Sequence, residues 1–325
     1  MAVTLLAGAA LAGCKNGAQA EAVQPAPGHT AEISTAQAMA AVVQYDKANN
    51  AVNARYDAAG LATIEALPGE ATSKARLLQA KVLRQAVPPV THPPEQIVIP
   101  RIDSFPRWFV VTAPVVKSGA ATPRLKYLIL VQEKAQGPWR VAYYPYPSGD
   151  EEVPPMAVDS QGTATLVTDA GGLATDPAQL NKAIFNYYVS NKDSSVQLAP
   201  TTALEKQLSD GYQLGQQQEQ ARGVDFVRTF QQTPYPSYLV RTADGGVLAF
   251  TANEVRDTLT ASAHNGVVTF DPGTPEAATL GRPEGAKAHT YTVERLQMFM
   301  SYIPAAGSAQ PVQVLAYDDA VIAVH

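Results

Sequence analysis

Two stretches of the chain carry apolar residues at helical spacing, and both open with a helix-start signal. Ser34-Thr35-Ala36-Gln37 has the form of a capping box, with a hydroxyl to take an orphan amide and a glutamine to reach back to the cap. Behind it Ala38, Ala41, Val42, Tyr45 and Asn49 fall on one face at i, i+3, i+4, i+7 and i+11, which predicts an amphipathic helix. Asp176-Pro177-Ala178-Gln179 gives a second start, with proline at the first helical position. Leu180, Ala183, Ile184, Tyr187 and Asn191 then repeat the stripe down to the same tyrosine and asparagine.

The β-type patterns also come in pairs. Phe105-Pro106-Arg107-Trp108-Phe109-Val110-Val111-Thr112-Ala113 matches Tyr235-Pro236-Ser237-Tyr238-Leu239-Val240-Arg241-Thr242-Ala243, and in each the proline marks a strand entrance, where its missing donor does no harm. Leu125-Lys126-Tyr127-Leu128-Ile129-Leu130 matches Leu296-Gln297-Met298-Phe299-Met300-Ser301, and each leads through a glycine-containing connection to a last strand, residues 139–144 and 312–316. The second half has an extra segment in which residues 254–261 and 267–270 flank Asn265-Gly266, a strong turn signal that predicts an added hairpin.

These patterns predict an α+β fold of two tandem related modules, residues 34–147 and 176–325, each with helix packed on a curved antiparallel sheet. Residues 148–175, opening with Pro-rich, acidic sequence around Asp150-Glu151-Glu152, read as a semi-rigid solvated linker. The order of elements resembles the cystatin-like and NTF2-like cone folds, in which a first helix lies across a bent sheet. That resemblance implies a cavity between helix and sheet, for which Tyr45, Asn49, Tyr187 and Asn191 are the candidate lining residues.

The N-terminal residues change the picture from fold to address. Residues 2–13 are uncharged and apolar or small, too short a run to span a bilayer but suited to the apolar core of a secretory signal. Leu11-Ala12-Gly13-Cys14 resembles the lipobox of bacterial lipoproteins, which implies cleavage before Cys14, the only cysteine, and a diacylglyceryl group on its sulfur. No Lys or Arg precedes the run, so the true start is expected upstream of Met1. Residues 14–33, almost without large apolar side chains, are expected to be a disordered tether with a reach of about 25 Å. The chain as a whole resembles uncharacterised secreted lipoproteins of high-GC Gram-positive bacteria, which places it on the extracytoplasmic face of the cell membrane.

Composition then narrows the chemistry. The 46% hydrophobic content over 325 residues supports a real core. A net charge of −5, without a Lys/Arg cluster, argues against a nucleic-acid partner. The five histidines show no metal-ligand spacing and there is no second cysteine, so no metal and no cofactor is implied. His92 lies in a Pro-rich loop, and Asp318-Asp319 read as a turn before the apolar residues 321–324. There is no nucleophile elbow, phosphate loop or dinucleotide fingerprint.

Three functional readings follow. The first is a non-catalytic protein, held to the membrane by lipid at Cys14, that binds or spaces an envelope protein or polymer. The second is a small-molecule carrier or cryptic enzyme using the cone-shaped pocket of one module. The third is a subunit that forms a homodimer through sheet faces.

Overall fold

The computed structural model describes residues 33–325 apart from Gln161, Thr168, Asp169, Asn191 and Asp193. The lipobox with Cys14, the tether up to residue 32 and the candidate pocket residue Asn191 therefore lie outside the described residues.

Both helix starts form as the residues dictate. Helix α1 (Thr35–Arg55) opens on the Ser34/Gln37 capping box, the Gln37 amide donating to Ser34 Oγ at 3.2 Å and the Ser34 amide to Gln37 Oε1 at 2.8 Å. A 3-10 turn (Gly60–Thr63) and helix α2 (Gly69–Val82) follow. Five strands come next: β1 (Val90–Thr91), β2 (Gln96–Pro100), β3 (Arg107–Lys117), β4 (Ala120–Gln132) and β5 (Arg140–Tyr143). They form a sheet in the order β5-β4-β3-β2, with β1 also pairing β3, and β6 (Thr163–Ala164) adds in parallel beside β2.

In the second half, Asp176 caps helix α3 (Pro177–Val189) by accepting from the Ala178 amide at 2.9 Å. A π-helical stretch (Ala203–Ser209) runs into α4 (Asp210–Ala221). The remaining elements are β7 (Val224–Gln231), β8 (Tyr238–Arg241), β9 (Val247–Ala261), β10 (Val268–Phe270), α5 (Pro275–Thr279), β11 (Ala286–Ala288), β12 (Thr290–Ile303) and β13 (Gln313–Val324). The second sheet has the order β13-β12-β9-β7, with β8 sharing the β7 side of β9. The fold is α+β, with antiparallel sheets and helices segregated from them.

The two sheets face each other across one apolar layer. On β9, Leu248, Phe250 and Ala252 join the cluster that contains β3, β4 and β5, whereas Val247, Ala249 and Val255 join the cluster of α3 and the π-helical stretch. On β12, Leu296, Met298, Met300 and Tyr302 take the first side and Phe299 and Ile303 the second. This is the period-two alternation of a strand with both faces covered, and it explains why these segments read as unbroken apolar runs. Aromatic rings close the layer: Tyr238 meets Trp108 and Tyr143 edge-on at 5.3 and 5.7 Å between centroids, and Tyr127 lies 6.3 Å from Phe250. Residues 148–175 bond to both sheets, through a bridge of Met156 with Thr242, a bridge of Leu166 with Val240 and the β2–β6 pairing. Glu32–His325 form one compact unit.

Three local outcomes differ from the sequence expectations. The segment matched to β3 becomes the short β8, because Asp244-Gly245-Gly246 turns the chain after four residues and the long partner of β12 is β9. Gly246 is needed there, since a Cβ would lie 2.8 Å from the Ile303 carbonyl oxygen. Asn265-Gly266 does not close a hairpin between residues 254–261 and β10. Both edges of β9 are already taken, by β7 and β12, so β10 pairs with β11 instead. This pair and α5 cover the protruding end of the sheet around Leu259, Tyr291 and Val293. Asp318 and Asp319 lie inside β13, not in a turn, because each finds an arginine.

A shared layer has a thermodynamic consequence. Phe250→Ala, in the second half, is expected to cost about 3–5 kcal/mol. Tryptophan fluorescence during urea unfolding reports only the first half, where Trp108 and Trp139 lie. Its midpoint should drop in step with that of far-UV circular dichroism; a first-half transition unmoved by the substitution would show that the halves unfold separately.

Candidate functional site

Beneath α1 lies a cavity of about 400 Å³ bounded by α2, the end of β1, β4 and the end of β5. Each wall residue is placed by its element. Tyr45 and Asn49 are one turn apart on the inner face of α1. Ser73, Arg76 and Ala80 come from α2, whose start lies close against β5, where a Cβ on Gly69 would meet the Ala142 carbonyl oxygen at 2.7 Å. Lys126 comes from β4 and Tyr144 follows β5.

Glu65 reaches this space because its segment straps the free edge of β5. Val141 donates to the Ile64 carbonyl and Ala66 donates to the Val141 carbonyl, both at 2.9 Å. The strap buries Glu65 to 1% exposure. Tyr45 OH donates to Glu65 Oε1 at 2.9 Å, while Glu65 Oε2 has no hydrogen-bond partner. Burial pushes the Glu65 carboxyl up to about 7, against the opposing pull of the Ser73 and Tyr45 hydroxyls and the Lys126 ammonium. Burial likewise raises Tyr45 and Tyr144, and lowers Lys126, with Arg76 adding to the last effect.

His92 is not a surface loop residue. Its amide donates to Asp46 Oδ2 at 2.7 Å and its ring Nδ1 lies 2.6 Å from Asp46 Oδ1, so both groups are buried together. With the Asn50–Val90 pair of hydrogen bonds, this clamps the β1 region to α1. At the other rim Arg76 makes a two-pronged contact with Asp318, at 3.0 and 2.5 Å, and reaches the Asp319 carbonyl at 2.7 Å. Tyr144 OH is 3.1 Å from Ser73 Oγ, and the Lys126 ammonium sits 4.9 Å from the centre of the Tyr144 ring. The far wall is apolar: Leu77, Ala80, Val87 and Pro88.

Of the four candidate pocket residues, the structure brings Tyr45 and Asn49 together on this cavity. Tyr187 is tied by its hydroxyl to Glu205, which also pairs with Lys192 at 2.7 Å. The Lys192 and Tyr187 hydrogen bonds outweigh the effect of burial and hold the Glu205 carboxyl below its usual range. Tyr45 with Glu65 and Tyr187 with Glu205 are thus the same pairing at nearly the same spacing, one dry and one solvated. The sequence reading missed Glu65, His92, Asp46, Ser73, Lys126 and Tyr144. Only Glu65 carried a signal, a lone acid inside the apolar run from Leu61 to Leu67.

A second cavity of about 400 Å³ lies between α4, the second sheet and the insertion. Its charges are matched. Arg228 binds both oxygens of Asp257 at 2.6 and 2.7 Å, and Arg295 contacts Asp257, Glu276 and Asp319. Three rings, Tyr188, Tyr212 and Phe226, surround the Arg228 guanidinium at 5.2–6.0 Å. This network is complete as it stands. Among the described residues no group of three or more His, Cys, Asp or Glu side chains is placed to hold a metal ion, and no helix is long and apolar enough to cross a membrane.

The raised Glu65 value predicts a stability signature. The native protein holds this proton more tightly than the unfolded chain, so ionisation costs stability as pH rises from 4.5 to about 7, and the full cost persists above that. Glu65→Gln keeps an acceptor for Tyr45 but has no charge. Across that window its stability relative to wild type should improve by roughly 2–3 kcal/mol, measured by urea unfolding at a series of pH values. A constant difference would show that Glu65 titrates normally.

No curated protein and no solved structure matches the chain. The match that exists is to a family model, which covers residues 30–325 and so takes in both sheets, both cavities and every residue of the site described above. The chain belongs to the family described as DUF8094, a domain of unknown function.

Proposed function

We propose that the protein is a lipid-anchored, extracytoplasmic small-molecule-binding protein that uses the cavity of its first half as the ligand site. The observation that carries the ligand reading is Glu65: a carboxylate oxygen with no partner, at 1% exposure, in the wall of a cavity of small-molecule size. A native buried polar atom left unsatisfied costs about 1–3 kcal/mol, and a ligand donor removes that cost. Tyr45, Asn49, Asn53 and His92 supply further polar groups around an otherwise apolar wall, which suits orientation of a ligand. Binding and release are the proposed task, because no nucleophile here is hydrogen-bonded to the Asp46–His92 pair in the manner of a catalytic triad.

The finer architecture belongs to the same proposal. The two halves are read as related cystatin- or NTF2-like modules that descend from one duplicated unit. Support comes from the parallel sheet orders β5-β4-β3-β2 and β13-β12-β9-β7, the matching helix caps and the repeated tyrosine–glutamate bond. The anchor rests on Leu11-Ala12-Gly13-Cys14 alone.

Two experiments test this reading. N-phenyl-1-naphthylamine, a neutral apolar dye, should brighten on binding the protein. Ala80→Trp, which fills the apolar wall, should abolish the signal while keeping the unfolding midpoint; equal brightening in the variant would place the dye elsewhere and defeat the reading. For the anchor, Cys14→Ser expressed in a bacterium with lipoprotein processing should move the protein from the membrane to the soluble fraction. Retention in the membrane would reject attachment at that sulfur.

A further inference from the structure

We propose that the ligand of this cavity is a small organic anion with an apolar tail, its charged end held between the Lys126 ammonium and the Glu65 carboxyl. This rests on the small-molecule reading above and adds the sign of the ligand's charge.

The inference comes from which charges in the cavity already have partners. Asp46 is matched by His92, and Arg76 by Asp318. Lys126 is different. Among the described residues it has no carboxylate within ion-pair distance, and its recorded contact is the Tyr144 ring at 4.9 Å. An ammonium drawn into a half-buried site without a counter-charge is costly, and an incoming anion offsets that cost. Glu65 Oε2, the one unpartnered carboxylate oxygen of the cavity wall, acts with Lys126 when its acid form donates a hydrogen bond to the same anion. A cationic ligand meets the opposite situation, with both Lys126 and Arg76 lining the space it would enter. Leu77, Ala80, Val87 and Pro88 then receive the apolar part.

Binding of this kind takes up a proton whenever Glu65 begins ionised. The groups that face Glu65 are Tyr45 and Asp46 from α1, Glu70, Ser73 and Arg76 from α2, Lys126 from β4, Tyr144 after β5, Asp318 from β13, and His92 beside Tyr45. Burial holds the Glu65 carboxyl at about 7, so anion affinity should fall as pH rises through that value. The His92–Asp46 pair can also contribute to a pH profile. For that reason Glu65→Gln, which retains a donor but does not titrate, is the discriminating variant.

The test is displacement of N-phenyl-1-naphthylamine from the full chain by octanoate, octylamine and octanol, between about pH 6 and about pH 8.5, a range that brackets the Glu65 transition. Octanoate should displace the dye best, and less well at the alkaline end. Lys126→Met should lose about tenfold or more of the octanoate affinity while keeping octanol binding, which also shows that the variant is folded. Lys126→Arg should restore the preference, and Glu65→Gln should flatten the pH dependence. Octylamine or octanol competing as well as octanoate, or unchanged octanoate affinity in Lys126→Met, would overturn the anion assignment and leave the small-molecule reading in place. Failure of the dye itself to bind would overturn both.

Discussion

The apolar layer between the two sheets is the constraint on which the other parts of the molecule depend. Leu248, Phe250, Met298 and Met300 from one sheet and Trp108, Leu128 and Leu130 from the other belong to one buried cluster, which neither half could bury alone. With one face of each sheet committed to this layer, the helices are left to cover the opposite faces. A helix resting on a twisted sheet contacts it along a limited stripe, and the first cavity opens beneath α1, beside that contact. The polar site is therefore a consequence of how the apolar surfaces are shared.

Charge is concentrated away from the layer between the sheets, and β13 joins its two main clusters. Adjacent strand residues point to opposite faces, so Asp318 meets Arg76 at the first cavity while Asp319 meets Arg295, whose other partners Asp257 and Glu276 line the second. Ion pairs of this kind contribute little net stability once desolvation is counted, but removing one member leaves a buried charge and is costly. They fix register and orientation. The first cavity differs in keeping an unmatched ammonium and an unmatched carboxyl oxygen, and that difference separates a site open to a ligand from a network that is complete without one.

Helix starts and buried helix stripes were legible from local sequence. The Ser34/Gln37 box and the Asp176 cap form with the partners their residues offer, and Tyr45 and Asn49 reach a cavity wall because helical spacing alone puts them on the inner face. Strand partners were less legible. The aromatic-proline motif recurs, yet one copy runs on as β3 while the other stops at Arg241, where a glycine turn diverts it. The hairpin signal at Asn265-Gly266 was read without knowing that both edges of β9 were occupied. Turn chemistry reports what the chain can do locally, and edge availability reports what the sheet permits.

The sequence by itself determined the α+β character, the caps and inner faces of α1 and α3, the apolar runs that become doubly covered strands, and the candidacy of Tyr45 and Asn49. These depend on periodicity and on residues a few positions apart. Tertiary structure alone decided that the sheets would face each other, that His92 would be buried against Asp46, that Asp318 and Asp319 would serve arginines on opposite faces, and that Glu65 would meet Tyr45 beside Lys126. The reason is physical: the protonation and partners of a buried side chain are set by what packs around it from distant parts of the chain, and no local pattern carries that information.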